Sequence, residues 1–315
     1  MADSQKSSDP RTTDQKAGVG IDPEVAERLR GLSLMATSTV EGFLAGRHRS
    51  PRRGISVEFA ERRPYVQGDD LRHLDWKAYA RTDRLVVKRY EEETNLECTL
   101  VVDASGSMAY GPKGTKSKYD HACQAAAALA HLVLRERDGV ATALFDHLLD
   151  RMLPASTSST HLQSILLALV ERSPAGETNF EAVLGRLSEA VAHPGLVVLI
   201  SDCFGDLESL SKGLGALGAR GHECLVLHVM HSDELTFPFD RLTRFEDMEG
   251  DDRLLVDAPS LQEAYLESME DWRARLRRAC HQQGVDYALL DTSKPLGLSL
   301  SAFLGARAAR VRRHR

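Results

Sequence analysis

Leu96-Glu97-Cys98-Thr99-Leu100-Val101-Val102-Asp103-Ala104-Ser105-Gly106-Ser107 is the stretch that decides the fold. Leu96 to Val102 is an apolar run with the length and composition of a buried strand, and Asp103-Ala104-Ser105-Gly106-Ser107 closes it with oxygen side chains at alternate positions. A strand directs residues i, i+2 and i+4 to one face, and a turn eased by Gly106 can fold Asp103, Ser105 and Ser107 around one ion. Carboxylate and hydroxyl oxygens without nearby His or Cys suit a hard cation, Mg²⁺ or Mn²⁺, rather than Zn²⁺. Mg²⁺ keeps positions for water or an incoming ligand, and such a position invites a partner's carboxylate. Over these five residues alone, an ordinary Asp/Ser turn at a strand end would read the same.

Two later segments add to the pattern, because a sheet of parallel strands collects the loops at its carboxyl ends into one crevice. Gly176-Glu177-Thr178-Asn179 lies between a helical pattern ending near Glu171 and another beginning near Phe180, which places the Thr178 hydroxyl on a loop near the first site. Asp202 directly follows Leu196-Val197-Val198-Leu199-Ile200-Ser201, a run that reads as a buried parallel strand, and so emerges at the same sheet edge as Asp103. Each has a plainer role open to it: Thr178 as a helix N-cap, Asp202 as the cap of the next helix.

Together these residues resemble the metal-ion-dependent adhesion site of von Willebrand factor A domains, in which Asp-x-Ser-x-Ser, a distant Thr and a later Asp surround one Mg²⁺. The resemblance implies that Ser105, Ser107 and Thr178 lie near the metal, with Asp103 and Asp202 binding directly or through water. An acidic side chain from a partner protein would complete the shell.

Upstream, Gly54 to Glu93 reads Gly-Ile-Ser-Val-Glu-Phe-Ala-Glu-Arg-Arg-Pro-Tyr-Val-Gln-Gly-Asp-Asp-Leu-Arg-His-Leu-Asp-Trp-Lys-Ala-Tyr-Ala-Arg-Thr-Asp-Arg-Leu-Val-Val-Lys-Arg-Tyr-Glu-Glu-Glu. This closely resembles the bacterial domain-of-unknown-function fifty-eight family, which pairs such a segment with a von Willebrand factor A-like domain. Genes of that family commonly neighbour those of MoxR-type AAA+ ATPases, so the resemblance implies a MoxR-type partner. In physical terms, charges of both signs surround Tyr65, Trp76 and Tyr79. They read either as a salt-bridge network locking the segment down over packed aromatics or as an exposed partner surface.

The remaining chain has a βα rhythm. Helical patterns cover Tyr119 to Arg135, His161 to Val170, Phe180 to Ala192 and Leu207 to Ala219, and strand patterns cover Gly139 to Phe145 and Glu223 to Val229. Arg241 to Val256 reads as a hairpin around Gly250-Asp251, followed by a helix from Leu261 to Gln282, a strand near Asp286 to Leu290 and a last helix over Leu298 to Arg310. The expected fold is α/β, a doubly wound, mostly parallel sheet of von Willebrand factor A type with a smaller amino-terminal extension. The expected organisation is a disordered tail over 1–20, a helical and extended segment over 21–95, the main domain over 96–310 and a basic tail over 311–315.

With 315 residues, 42% of them hydrophobic, the chain can bury a sizeable core. No apolar stretch reaches about 18 residues and the polar start does not resemble a secretory signal, so a cytoplasmic protein with no membrane span is expected. The five cysteines lack Cys-x-x-Cys spacing and read as reduced structural thiols, with a redox role for Cys203 as the alternative. Net charge is −6, and the arginine clusters at 47–53 and 310–315 carry neither interleaved aromatics nor a reading motif, which disfavours a nucleic-acid partner. The chain has no nucleotide-cradling Gly-x-x-x-x-Gly-Lys-Ser/Thr sequence. The reading is therefore a noncatalytic, Mg²⁺-dependent interaction module that serves a MoxR-type ATPase as adaptor or co-chaperone. The alternative is a metal-dependent hydrolase at the same site, with His121 or His231 as base.

Overall fold

The computed structural model describes residues 23–47, 62–65, 76–82, 84–88, 97–112, 114–250, 252–297 and 299–300. The tails expected at 1–20 and 311–315, and nearly all of the helix expected over Leu298 to Arg310, lie outside the described residues.

Helix α1 (Pro23–Arg47) precedes a short antiparallel pair, β1 (Arg62–Pro64) and β2 (Val86–Lys88), with helix α2 (Trp76–Thr82) between them in sequence. Trp76 and Tyr79 are 61% and 39% exposed, their rings edge-on with centroids 6.4 Å apart. The charges from Asp69 to Asp75 that would build a salt-bridge network over them lie outside the described residues.

The main sheet begins with β3 (Glu97–Asp103), followed by α3 (Lys118–Arg135), β4 (Gly139–Phe145), β5 (Leu149–Ser156), α4 (His161–Glu171), α5 (Phe180–Ala190) and β6 (Leu196–Ser201). It continues through α6 (Leu207–Ala219), β7 (Glu223–Met230), α7 (Ser232–Thr236), a separate hairpin of β8 (Leu242–Glu246) and β9 (Arg253–Asp257), α8 (Ala258–Gln282) and β10 (Asp286–Asp291). The strand order is β10-β7-β6-β3-β4-β5, all parallel except β5, which runs antiparallel to β4. This is the expected doubly wound, mostly parallel sheet.

Period-two alternation sends the strand side chains into two cores. Leu100, Val102, Val198 and Ile200 share a core with α1, α3 and α4 on one face, while Val101, Val197 and Leu199 share one with α5, α6 and α8 on the other. Burying one such Leu, Ile or Val side chain contributes about 1.5–3 kcal/mol, which is why strands covered on both faces are apolar throughout. Leu32, Ala36 and Val40 of α1 belong to the first core, where that helix of the amino-terminal segment packs on α3 and α4. From β3 the chain turns to β4 on one side and later returns to β6 on the other. That reversal opens a crevice at the carboxyl ends of β3 and β6.

Candidate metal centre

Asp103, the last residue of β3, is wholly buried at that crevice. Its Oδ1 accepts the Ser105 amide at 2.9 Å and its Oδ2 accepts the Ser201 hydroxyl at 2.5 Å. Burial pushes its carboxyl up to about 7, and the neighbouring charge of Asp202 adds to the rise. The buried Ser105 hydroxyl lies 3.1 Å from that of Ser107, which stands in a 3₁₀ turn over Gly106–Ala109. Gly106 is dictated by close approach: a Cβ there would sit 2.1 Å from the Met248 carbonyl oxygen at the tip of the β8–β9 hairpin. From the same tip, Glu249 Oε1 accepts the Ser107 amide at 3.4 Å.

The Thr178 loop is tied to this turn through its backbone. Gly106 N donates to Gly176 O at 2.8 Å and Ala175 N donates to Ala104 O at 2.9 Å. Gly176 takes φ +82°, a conformation open to glycine at no steric cost. The N-cap of α5 is Asn179, whose side chain accepts the Ala182 amide at 3.0 Å, so Thr178 is not the cap. Its Oγ1 is left buried without a hydrogen-bond partner. An unsatisfied buried hydroxyl costs about 1–3 kcal/mol, and a cation or ligand atom at this point would remove that cost.

Asp202 is also wholly buried, and it is not the cap of α6, a role taken by Asp206. Its Oδ1 accepts the Phe204 amide at 3.1 Å, and its Oδ2 accepts Lys118 Nζ at 2.7 Å. Lys118 Nζ also donates to Glu234 Oε1 at 2.6 Å and stands 5.0 Å from the centre of the Phe204 ring. Burial alone would pull this ammonium down, but Asp202 and Glu234 outweigh it and hold its pKa above the ordinary lysine value. Asp202 thus already carries an ion pair, which leaves Asp103 as the carboxylate of the set without a cationic partner among the described residues.

The sequence reading missed Lys118, Ser201 and Glu249. Lys118 carried one signal, a charge on the stripe of α3 continued by Ala122, Ala125 and Leu129, all buried. Of the two histidines weighed as a base, His231 caps α7, its Nδ1 accepting the Asp233 amide at 3.2 Å. His121 is buried in α3, where burial pushes it down to about 4. All five cysteines are buried and outside any disulfide, and burial raises the Cys203 thiol well above its ordinary value, removing the thiolate that a redox role needs.

The donor set fits a hard cation: Asp103, Ser105, Ser107 and the unpartnered Thr178 hydroxyl, with Asp202 behind them. Among the described residues no group of three or more His, Cys, Asp or Glu forms a metal cluster, so a cation here would take most of its donors from hydroxyls. Also among the described residues, no helix is long and apolar enough to cross a membrane.

Comparison with known proteins gives relatives along most of the chain. The uncharacterized protein Rv1480 of Mycobacterium tuberculosis and the uncharacterized protein Mb1516 of Mycobacterium bovis are each 29% identical over 290 residues, covering 91% of this chain and 90% of theirs. Among solved structures, the conserved hypothetical protein BatB from Bacteroides thetaiotaomicron matches with a TM-score of 0.45 at 16% identity, covering 68% of this chain and 99% of that one. An aerotolerance-related membrane protein from Bacteroides fragilis matches at 0.41 and 16% identity, covering 67% and 99%. The sequence pattern of the family described as "Protein of unknown function DUF58" matches residues 61–275.

Proposed function

This chain belongs to the DUF58 family of proteins of unknown function, and we propose that it acts as a noncatalytic, Mg²⁺-dependent protein-interaction module of the von Willebrand factor A type. The observation that carries this reading is the Thr178 hydroxyl, buried without a partner on a loop bonded to the Asp103 turn. Asp103, Ser105, Ser107 and Thr178 hold the ion, Mn²⁺ substituting for Mg²⁺, while Asp202 and its Lys118 partner set the electrostatics behind it. When bound, the ion supplies a Lewis-acidic position for a carboxylate. The ligand is therefore a protein that presents Asp or Glu.

The family resemblance adds a MoxR-type AAA+ ATPase as partner, with this chain as its cytoplasmic adaptor or co-chaperone and nucleotide hydrolysis left to the ATPase. A metal-dependent hydrolase would need a base at the crevice. His231 is committed to a helix cap and His121 to the protein interior, so neither favours that reading.

Calorimetric titration of Mg²⁺ and Mn²⁺ into the wild type and Asp103→Ala tests the proposal, with circular dichroism confirming that both are folded. Binding to the wild type alone is expected. Matching titrations, whether both bind or neither does, would overturn the cation reading.

A further inference from the structure

We infer that Glu249, at the tip of the β8–β9 hairpin, is the chain's own carboxylate at this centre and holds the position that a partner's Asp or Glu would otherwise take. The inference rests on the cation reading above and names what regulates that site.

The hairpin contributes no strand to the main sheet. Just before its turn, Phe245 is held by an aromatic cluster in which it stacks on Phe237 with centroids 5.7 Å apart, and Phe237 packs 4.4 Å from Tyr265 of α8. The hairpin tip rests on the Asp103 turn, where the Met248 carbonyl fills the space that any side chain at position 106 would need. Glu249 is the next residue, half-buried, with its Oε1 on the Ser107 amide. The carboxylate thus contacts the backbone of a residue that supplies one of the proposed donors.

Three other acids at this edge have partners of their own. Asp202 and Glu234 share Lys118, and Asp233 accepts the Tyr110 hydroxyl at 3.1 Å. Among the described residues Glu249 has no ion-pair partner, only the Ser107 amide at 3.4 Å, longer than the roughly 2.7–2.9 Å of a well-made charge-assisted bond. A half-buried carboxylate so weakly compensated beside a group of hydroxyl oxygens is placed to meet a cation. The turn beyond Phe245 is also lightly held. A two-stranded ribbon is marginal in water by itself, and Leu242, Leu254 and Leu255 lie more than 60% exposed rather than packed. The free chain closes its own centre, and a partner opens it by bringing a competing carboxylate.

The experiment compares wild type, Glu249→Gln and Asp103→Ala by Mn²⁺ titration, read as affinity and as water-proton relaxation by the bound ion. Glu249→Gln keeps an acceptor for the Ser107 amide and removes only the charge. It is expected to bind Mn²⁺ about 10-fold more weakly or worse, the loss of one interaction with a charged group, with more water relaxation per bound ion. Acetate added to the Mn²⁺-loaded proteins should lower that relaxation in Glu249→Gln and leave the wild type unchanged. Equal affinity and relaxation in wild type and Glu249→Gln, with Asp103→Ala silent, would overturn the role of Glu249 while the cation reading stands. Wild type and Asp103→Ala titrating alike would remove the cation reading and this inference with it.

Discussion

Lys118 sits in the first turn of α3, where the helix dipole opposes a cation, and it is 1% exposed. Two carboxylates make that position tolerable, and neither is a sequence neighbour: Asp202 lies 84 positions away and Glu234 lies 116. Replacing the ammonium leaves two buried acids facing each other without compensation. Lys118→Met should therefore destabilise the fold by about 3–5 kcal/mol at pH 7, read as a lower urea midpoint. The same distance in sequence explains why this residue was not legible beforehand. Asp103, Ser105 and Ser107 announce themselves by spacing within five residues, whereas nothing around Lys118 says which acids will reach it. Thr178 was legible only as a choice, and Asn179 removes one side of it by taking the cap of α5 and leaving the Thr178 hydroxyl unused.

Among the elements, the buried parallel strands were the easiest to read, because burial on both faces leaves them apolar without interruption. β5 was not recognised. Leu149-Asp150-Arg151-Met152-Leu153-Pro154-Ala155-Ser156 mixes charge with a proline, as an edge strand can, and its pairing with β4 is interrupted by register shifts. The β8–β9 hairpin was legible as a hairpin from its turn, but its docking on the Asp103 loop was not, since that contact is made by the Met248 backbone against a hydrogen atom of Gly106. Gly106→Ala tests the contact. The added methyl must push the tip away, with an expected loss of about 1–3 kcal/mol and faster proteolysis between Glu246 and Arg253.

At the level of the whole molecule, both layers around the sheet close over histidines that the folded state keeps neutral. Burial pushes His121 down to about 4 and His228 down to about 3, from an ordinary value of 6.5. Below pH 6.5 the unfolded chain protonates these rings and the folded chain does not, so their contribution is complete above that pH and is lost as pH falls toward the folded values. The slope is about 1.4 kcal/mol per pH unit for each ring. Asp103, raised to about 7, acts with the opposite sign between its unfolded value of 3.8 and that pH. The informative quantity is therefore a difference: His121→Leu should lose less stability than the wild type between pH 7 and pH 5, measured by urea denaturation at each pH. Strand order has a further consequence, in time rather than energy. β3 lies mid-sheet but is synthesised before β6, β7 and β10, and 142 positions separate Ser107 from the Glu249 that leans on it. At translation rates of about 5–20 residues per second that gap lasts roughly 7–30 seconds, during which every nascent copy carries the Asp/Ser loop before its own lid has been made.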